Sequence, residues 1–113
     1  MKTRRHIFTL GTAAALLFAT PAAFAADPSY ERGLEASSNY RYSEALMHFT
    51  AAAEQGHRDA QRNLGLMLLY GDLLYGRDIS RNRKQAKRWL QAAAANGCDV
   101  SSFMLKVLAQ HAG

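Results

Sequence analysis

The sequence contains one cysteine and two prolines in 113 residues. A lone cysteine excludes an intramolecular disulfide framework and any Cys-rich zinc or iron–sulfur site. Scarce proline and a hydrophobic share of 49 % exclude a disordered, low-complexity chain. No HExxH, GxSxG or P-loop pattern occurs, so the common signatures of metalloproteases, serine hydrolases and nucleotide-binding loops are missing. No segment shows sustained two-residue alternation of apolar and polar side chains, which leaves no place for a sheet. Beyond residue 26 no run is long and apolar enough to span a bilayer.

Positive charge is also scarcer than the totals suggest. The formal net charge is +5, from 14 basic and 9 acidic residues. Three of the basic residues, Lys2, Arg4 and Arg5, stand at the N-terminus of what reads as an export signal. The remainder carries 11 basic residues against 9 acidic, so a nucleic-acid partner loses its main support.

The signal reading rests on three features. Met1 to Arg5 is a positive n-region, Ile7 to Phe18 is a moderately apolar stretch, and Ala23-Phe24-Ala25 fits small-x-small cleavage before Ala26. Thr3-Arg4-Arg5-His6-Ile7-Phe8 also fits a twin-arginine pattern with its last two residues exchanged, so Sec and twin-arginine export both stay open. The expectation is a signal over 1–25, a mature chain of 88 residues forming one domain over 26–113, and a periplasmic or secreted location without stable membrane insertion.

Helical periodicity fills that mature chain. Asp27-Pro28 is a start signature for a helix over about 28–38. Tyr42, Ala45, Leu46, Phe49, Ala52 and Ala53 form one apolar face of a second helix over 42–55, closed by Gly56. Ala60, Leu64, Met67 and Leu68 give a third over 58–70. Asn82, with Gln85 three residues on, opens a fourth; its face is Ala86, Trp89, Leu90, Ala93 and Ala94, and Gly97 ends it. Val100, Phe103, Met104, Val107 and Leu108 mark a fifth over 99–110.

The chain also repeats itself. A shift of 41 residues lays Ala45 on Ala86, Phe49 on Leu90, Ala52 on Ala93, Ala53 on Ala94, Gly56 on Gly97 and Leu64 on Leu105. Paired alanines let a neighbouring backbone approach while the large residue fills the space beside it. The glycine permits the reversal that lays the next helix antiparallel. The expected fold is all-α, an α/α-hairpin solenoid of about five antiparallel helices, with units over about 28–56 and 57–97 and a capping helix over 98–113.

The stretch Ala45-x-x-x-Phe49-x-x-Ala52-Ala53-Glu54-Gln55-Gly56-x-x-x-Ala60-Gln61-x-Asn63-Leu64-Gly65-x-Met67 resembles the Sel-one-like repeat, an α/α-hairpin relative of the tetratricopeptide repeat. Ala86-x-x-Trp89-Leu90-x-x-Ala93-Ala94-x-x-Gly97 matches the same pattern again, and Gly76-Arg77-Asp78-Ile79-x-x-Asn82 is similar to its linker. The usual period is near 36, so Leu69 to Tyr75 carries extra residues, expected as a longer third helix or an enlarged loop. Ser101 and Lys106 stand where Ala60 and Gly65 sit in the earlier copy, which fits a terminal cap.

The resemblance implies a partner-binding groove lined by the first helix of each hairpin. By position its residues are Tyr30, Leu34, Arg62, Leu66, Leu69, Tyr70, Phe103 and Val107. Leu66 and Leu69 also fall outside the packing stripe of their helix, which independently marks them as a surface. The densest charge is Arg77, Arg81, Arg83, Lys84, Lys87 and Arg88, a solvated face by default and an acidic-partner or anionic-surface patch by function. Glu44 and His48 read as an ordinary exposed helix pair. Cys98 reads as small and half-buried, with Lys106 its one basic neighbour in sequence.

These features point to an exported, non-enzymatic adaptor that binds a protein or peptide through its repeat groove, with no cofactor, no metal and no catalytic residues. Dimerisation through the open array end is a further expectation. The alternative class is a small envelope hydrolase or a binder of polysaccharide or peptidoglycan. An enzyme would gather polar groups of displaced pKa in one pocket, and a polysaccharide binder would present exposed aromatic rings in line.

Overall fold

The computed structural model describes residues 28–112. The signal, its cleavage position and the Asp27 cap lie outside the described residues. Within them the chain forms α1 (Ser29–Ser38), α2 (Tyr42–Glu54), α3 (Arg58–Tyr70), α4 (Asp72–Tyr75), α5 (Arg83–Ala95) and α6 (Asp99–Gln110). The fold is all-α. No described helix is long and apolar enough to cross a membrane.

Each long helix packs on the next in chain order: α1 on α2, α2 on α3, α3 on α5, and α5 on α6. Connections of three residues lay α1 against α2, α2 against α3 and α5 against α6 as antiparallel neighbours, while α3 and α5 pair across the longer stretch 71–82, so α1–α2 and α3–α5 are two hairpins with α6 closing the second. Pro28 occupies the N-cap of α1 without a side-chain cap bond, one position before the helical residue the sequence suggests for it.

The 41-residue shift is visible in the backbone. It maps the 13 residues of α2 onto the 13 of α5, and the first residue of α3 onto the first of α6. The reversal after each of the two helices is closed by the same bond. The His57 amide donates to the Ala52 carbonyl at 3.1 Å, and the Cys98 amide donates to the Ala93 carbonyl at 3.0 Å. Between them stand Gly56 and Gly97 at φ of +91° and +88°, left-handed positions that a side chain would strain. α1 ends the same way, with the Arg41 amide on the Ala36 carbonyl at 2.8 Å, but Tyr40 takes the left-handed position at φ 58°. That choice stores strain in a residue that is 79 % exposed.

Close approach inside each hairpin uses one device twice. A Cβ on Gly33 would lie 2.6 Å from the Phe49 ring, and a Cβ on Gly65 would lie 2.9 Å from Leu90 Cγ. Phe49 and Leu90 are repeat equivalents, each seated in a gap that only a glycine leaves open. The second hairpin takes nine more residues to get from its glycine to its large side chain.

Those residues form neither a longer α3 nor a simple loop. Gly71 breaks α3 at φ +47°, and α4 follows as a separate single turn. The linker then folds back: the Asn82 amide donates to the Leu68 carbonyl at 2.7 Å, and the Asn82 side chain accepts from the Gln85 amide at 3.0 Å to cap α5. Ile79, in no helix, is fully buried in the core with Ala36, Ala45, Phe49, Ala60, Leu64 and Met67.

Two helix faces differ from the sequence pattern. In α5, Trp89 and Ala94 are half-buried, whereas Ala86, Leu90 and Ala93 are buried. In α6 only Ser101 and Leu108 are buried; Met104 and Val107 are half-buried, and Val100 and Phe103 are exposed at 52 % and 64 %. Only α5 packs closely on α6 among the described helices, so the terminal helix has apolar positions that no neighbour covers.

Candidate functional site

The first helices of the hairpins, α1 and α3, together with α6, carry the residues expected to bind a partner. The structure places six of the eight in three groups. Leu34 borders a hollow of about 120 Å³ with Ser37, Phe49, Asn63, Met67 and Tyr75, so α1 and α3 both line it. Leu66, Leu69 and Tyr70 are half-buried, yet lie outside the set of side chains packed on the core. Phe103 is exposed and Val107 half-buried on α6.

Tyr30 and Arg62 are engaged elsewhere. The Tyr30 ring stacks on His57 at a centroid distance of 4.1 Å and tilts against Phe49 at 5.9 Å, which commits it to packing. His57 in turn caps α3, its Nδ1 accepting from the Ala60 amide at 3.2 Å. Arg62 pairs with Asp59 at 3.3 Å and also faces the Cys98 thiol.

Cys98 differs from its sequence reading on both counts. It is buried rather than half-buried, and its basic neighbour is Arg62, delivered from α3 by the hairpin packing. Burial pushes the thiol up, but the Ser101 hydroxyl 3.2 Å away, the Ser101 amide and the Arg62 guanidinium outweigh it and hold the thiol below its ordinary value. A folded-state pKa below the unfolded one contributes stability that is present above the ordinary thiol range near 8.5 and lost as pH falls through the folded value. The stability advantage of the wild type over Cys98→Ser is therefore expected to grow as pH rises toward the ordinary thiol range near 8.5. Chemical denaturation of both proteins over that rise checks it, and a constant or shrinking difference contradicts it.

The six residues of the basic patch, Arg77, Arg81, Arg83, Lys84, Lys87 and Arg88, are all exposed, and two of them have structural partners. Arg81 pairs with Asp72 of α4 at 3.2 Å, and Arg83 donates to the Leu108 carbonyl at 3.4 Å, tying α5 to the end of α6. Arg77, Lys84, Lys87 and Arg88 make no ion pair among the described residues. His48 Nε2 lies 3.8 Å from Glu44 Oε1, and its side chain is only 17 % exposed, so the pair is more sheltered than a free helix surface would make it.

Three features are absent from the sequence reading. Buried Gln61 donates to the Ala53 carbonyl at 3.2 Å and accepts from Asn96 at 2.9 Å, joining the ends of α2 and α5 through α3. Tyr40, Tyr42, Tyr75 and Tyr70 gather from three helices and a turn. Burial, then the neighbouring Tyr42 and Tyr70, push the Tyr75 phenol above its ordinary value. A cleft of about 500 Å³ opens on the other side of α3, between α2 and α5, with Trp89 in its wall. The one sequence signal for it is Trp89, large where the other copy has His48.

No curated protein and no solved structure matches this chain in comparison. The family model described as Sel1 repeat matches twice, over residues 25–57 and 58–98, and the two matches divide the chain where α2 gives way to α3 and α5 to α6. The chain belongs to the Sel1 repeat family.

Proposed function

We propose that this protein is an exported, non-enzymatic adaptor that holds a segment of another protein on the open face of α1, α3 and α6. Sel1 repeats are typically protein-interaction modules, which supports a general scaffold role. The observation that carries the specific reading is the set of apolar side chains the core does not use: Leu34, Leu66, Leu69, Tyr70 and Phe103. Such anchors supply most of the affinity of an interface, while unpaired cations at its edge set orientation and association rate.

The alternatives find less support. Cys98 and Tyr75, whose pKa values are displaced, are held by different sets of neighbours rather than by one another. Tyr40, Tyr42 and Tyr75 meet edge to face at 84° and 81°, which gives a ridged cluster rather than rings in line for a sugar chain.

The test is a photo-crosslinking residue at Leu69 in the cell envelope. Discrete adducts are expected, and Leu66→Glu should remove them while helical content and melting temperature stay near wild type. Adducts that survive Leu66→Glu, or that form equally from position Arg77, overturn the assignment of this face.

A further inference from the structure

The cleft on the opposite side of α3 has its own chemistry. Helices α2 and α5 both pack on α3 but not closely on each other, so α3 floors the space between them with Leu64 and Leu68. The α2 wall is Leu46, Thr50 and Glu54, and the α5 wall includes Arg88 and Trp89. At about 500 Å³ it falls within the size range of ligand sites, and its apolar floor with a few polar groups has their usual make-up.

Its charges are exposed and form no ion pair among the described residues. Glu54 stands on one wall and Arg88 on the other. The Thr50 hydroxyl is already spent on the Leu46 carbonyl at 2.7 Å. Lys84, one turn from Arg88 and also unpaired, adds positive charge beside the α5 wall. A purely apolar occupant would strip water from both charged groups and give them nothing in return, at a cost. An occupant of matching charge would instead place opposite charges in a partly dehydrated site, where their attraction is stronger than in bulk water.

We propose that this cleft is a second binding site, for a short apolar peptide segment bearing an acidic side chain toward Arg88 and a basic one toward Glu54. Its apolar side chains cover the half-buried Leu46, Leu68 and Trp89. The site is independent of the α1–α3–α6 face, so the chain can hold two segments at once, on opposite sides of α3.

Trp89 is the sole tryptophan of the sequence and lines this cleft, so its emission reports on the cleft. The experiment titrates the purified mature chain with end-blocked, tryptophan-free hexapeptides having a leucine core. Two peptides carry Glu and Lys at their ends in the two orders, and a third carries Gln at both. One charge order is expected to shift Trp89 emission and to bind about tenfold more tightly than the Gln peptide. Arg88→Glu, at an exposed position that leaves the fold intact, should abolish that preference. Leu66→Glu, on the other face, should leave the titration unchanged. Unaltered Trp89 emission with all three peptides, equal binding of the Gln peptide, or indifference to Arg88→Glu each overturns the proposal. None of these outcomes touches the crosslinking result at Leu69.

Discussion

Replacing Ile79 by alanine is expected to lower the unfolding free energy by about 2–5 kcal/mol, the cost of emptying a buried aliphatic site. For a domain of this size that is a fall in melting temperature of about 10 °C or more. The size of the effect is informative because Ile79 belongs to no helix. It sits in the linker between α4 and α5, fully buried among side chains from α1, α2 and α3. The inserted stretch is therefore a structural plug that closes the core where the second hairpin is too long to close itself. A small domain has little reserve of stability, so the loss should show directly in thermal and urea melts. A change below about 0.5 kcal/mol, the range of surface substitutions, would mean that the linker lies on the surface and the insert is a loose loop.

Gly71→Val should be as damaging for a different reason. The residue has φ +47°, and a Cβ there would lie 2.7 Å from the Arg81 amide nitrogen and 2.9 Å from the Ile79 carbonyl oxygen. Both contacts are backbone, so neither can swing away. Left-handed strain in a β-branched residue adds to the forced displacement of the linker, and together they cost about 3–5 kcal/mol. Gly56→Val separates the two terms. Gly56 has φ +91° with nothing within 4 Å of a Cβ, so it carries the strain without the collision and should cost clearly less. Equal losses at the two positions in denaturant melts would contradict the packing of the linker against Gly71.

Helix positions were the most legible part of the sequence. The alanine pairs and terminal glycines at a spacing of 41 residues identify α2 and α5 as equivalent, and their ends coincide in the structure to the residue. This legibility has a local cause: periodicity and helix termination depend on residues within a turn or two of each other. Features that depend on distant segments could not be read in the same way. Arg62 reaches Cys98 across 36 positions, and Asn96 reaches Gln61 across 35. Neither pair has a sequence signature. The same limit applies to α6, where Val100 and Phe103 show a core-like spacing but the neighbour that would cover them is missing among the described helices. The open face was legible in part, through Leu66 and Leu69 lying off their packing stripe. The α2–α5 cleft was not, since its walls are set by how far two helices spread over a third.

The two hairpins share one construction, a glycine in the first helix receiving a large side chain from the second. A pair of double-mutant cycles tests it most directly: Gly33→Ala with Phe49→Ala, and Gly65→Ala with Leu90→Ala, read by urea denaturation. Each glycine substitution alone should cost about 1–3 kcal/mol by overpacking. Each should cost far less once the facing side chain is removed, giving coupling of the same sign in both hairpins. Additive effects in either cycle would mean that the two hairpins are not built alike, and the chain would then not be a stacked repeat.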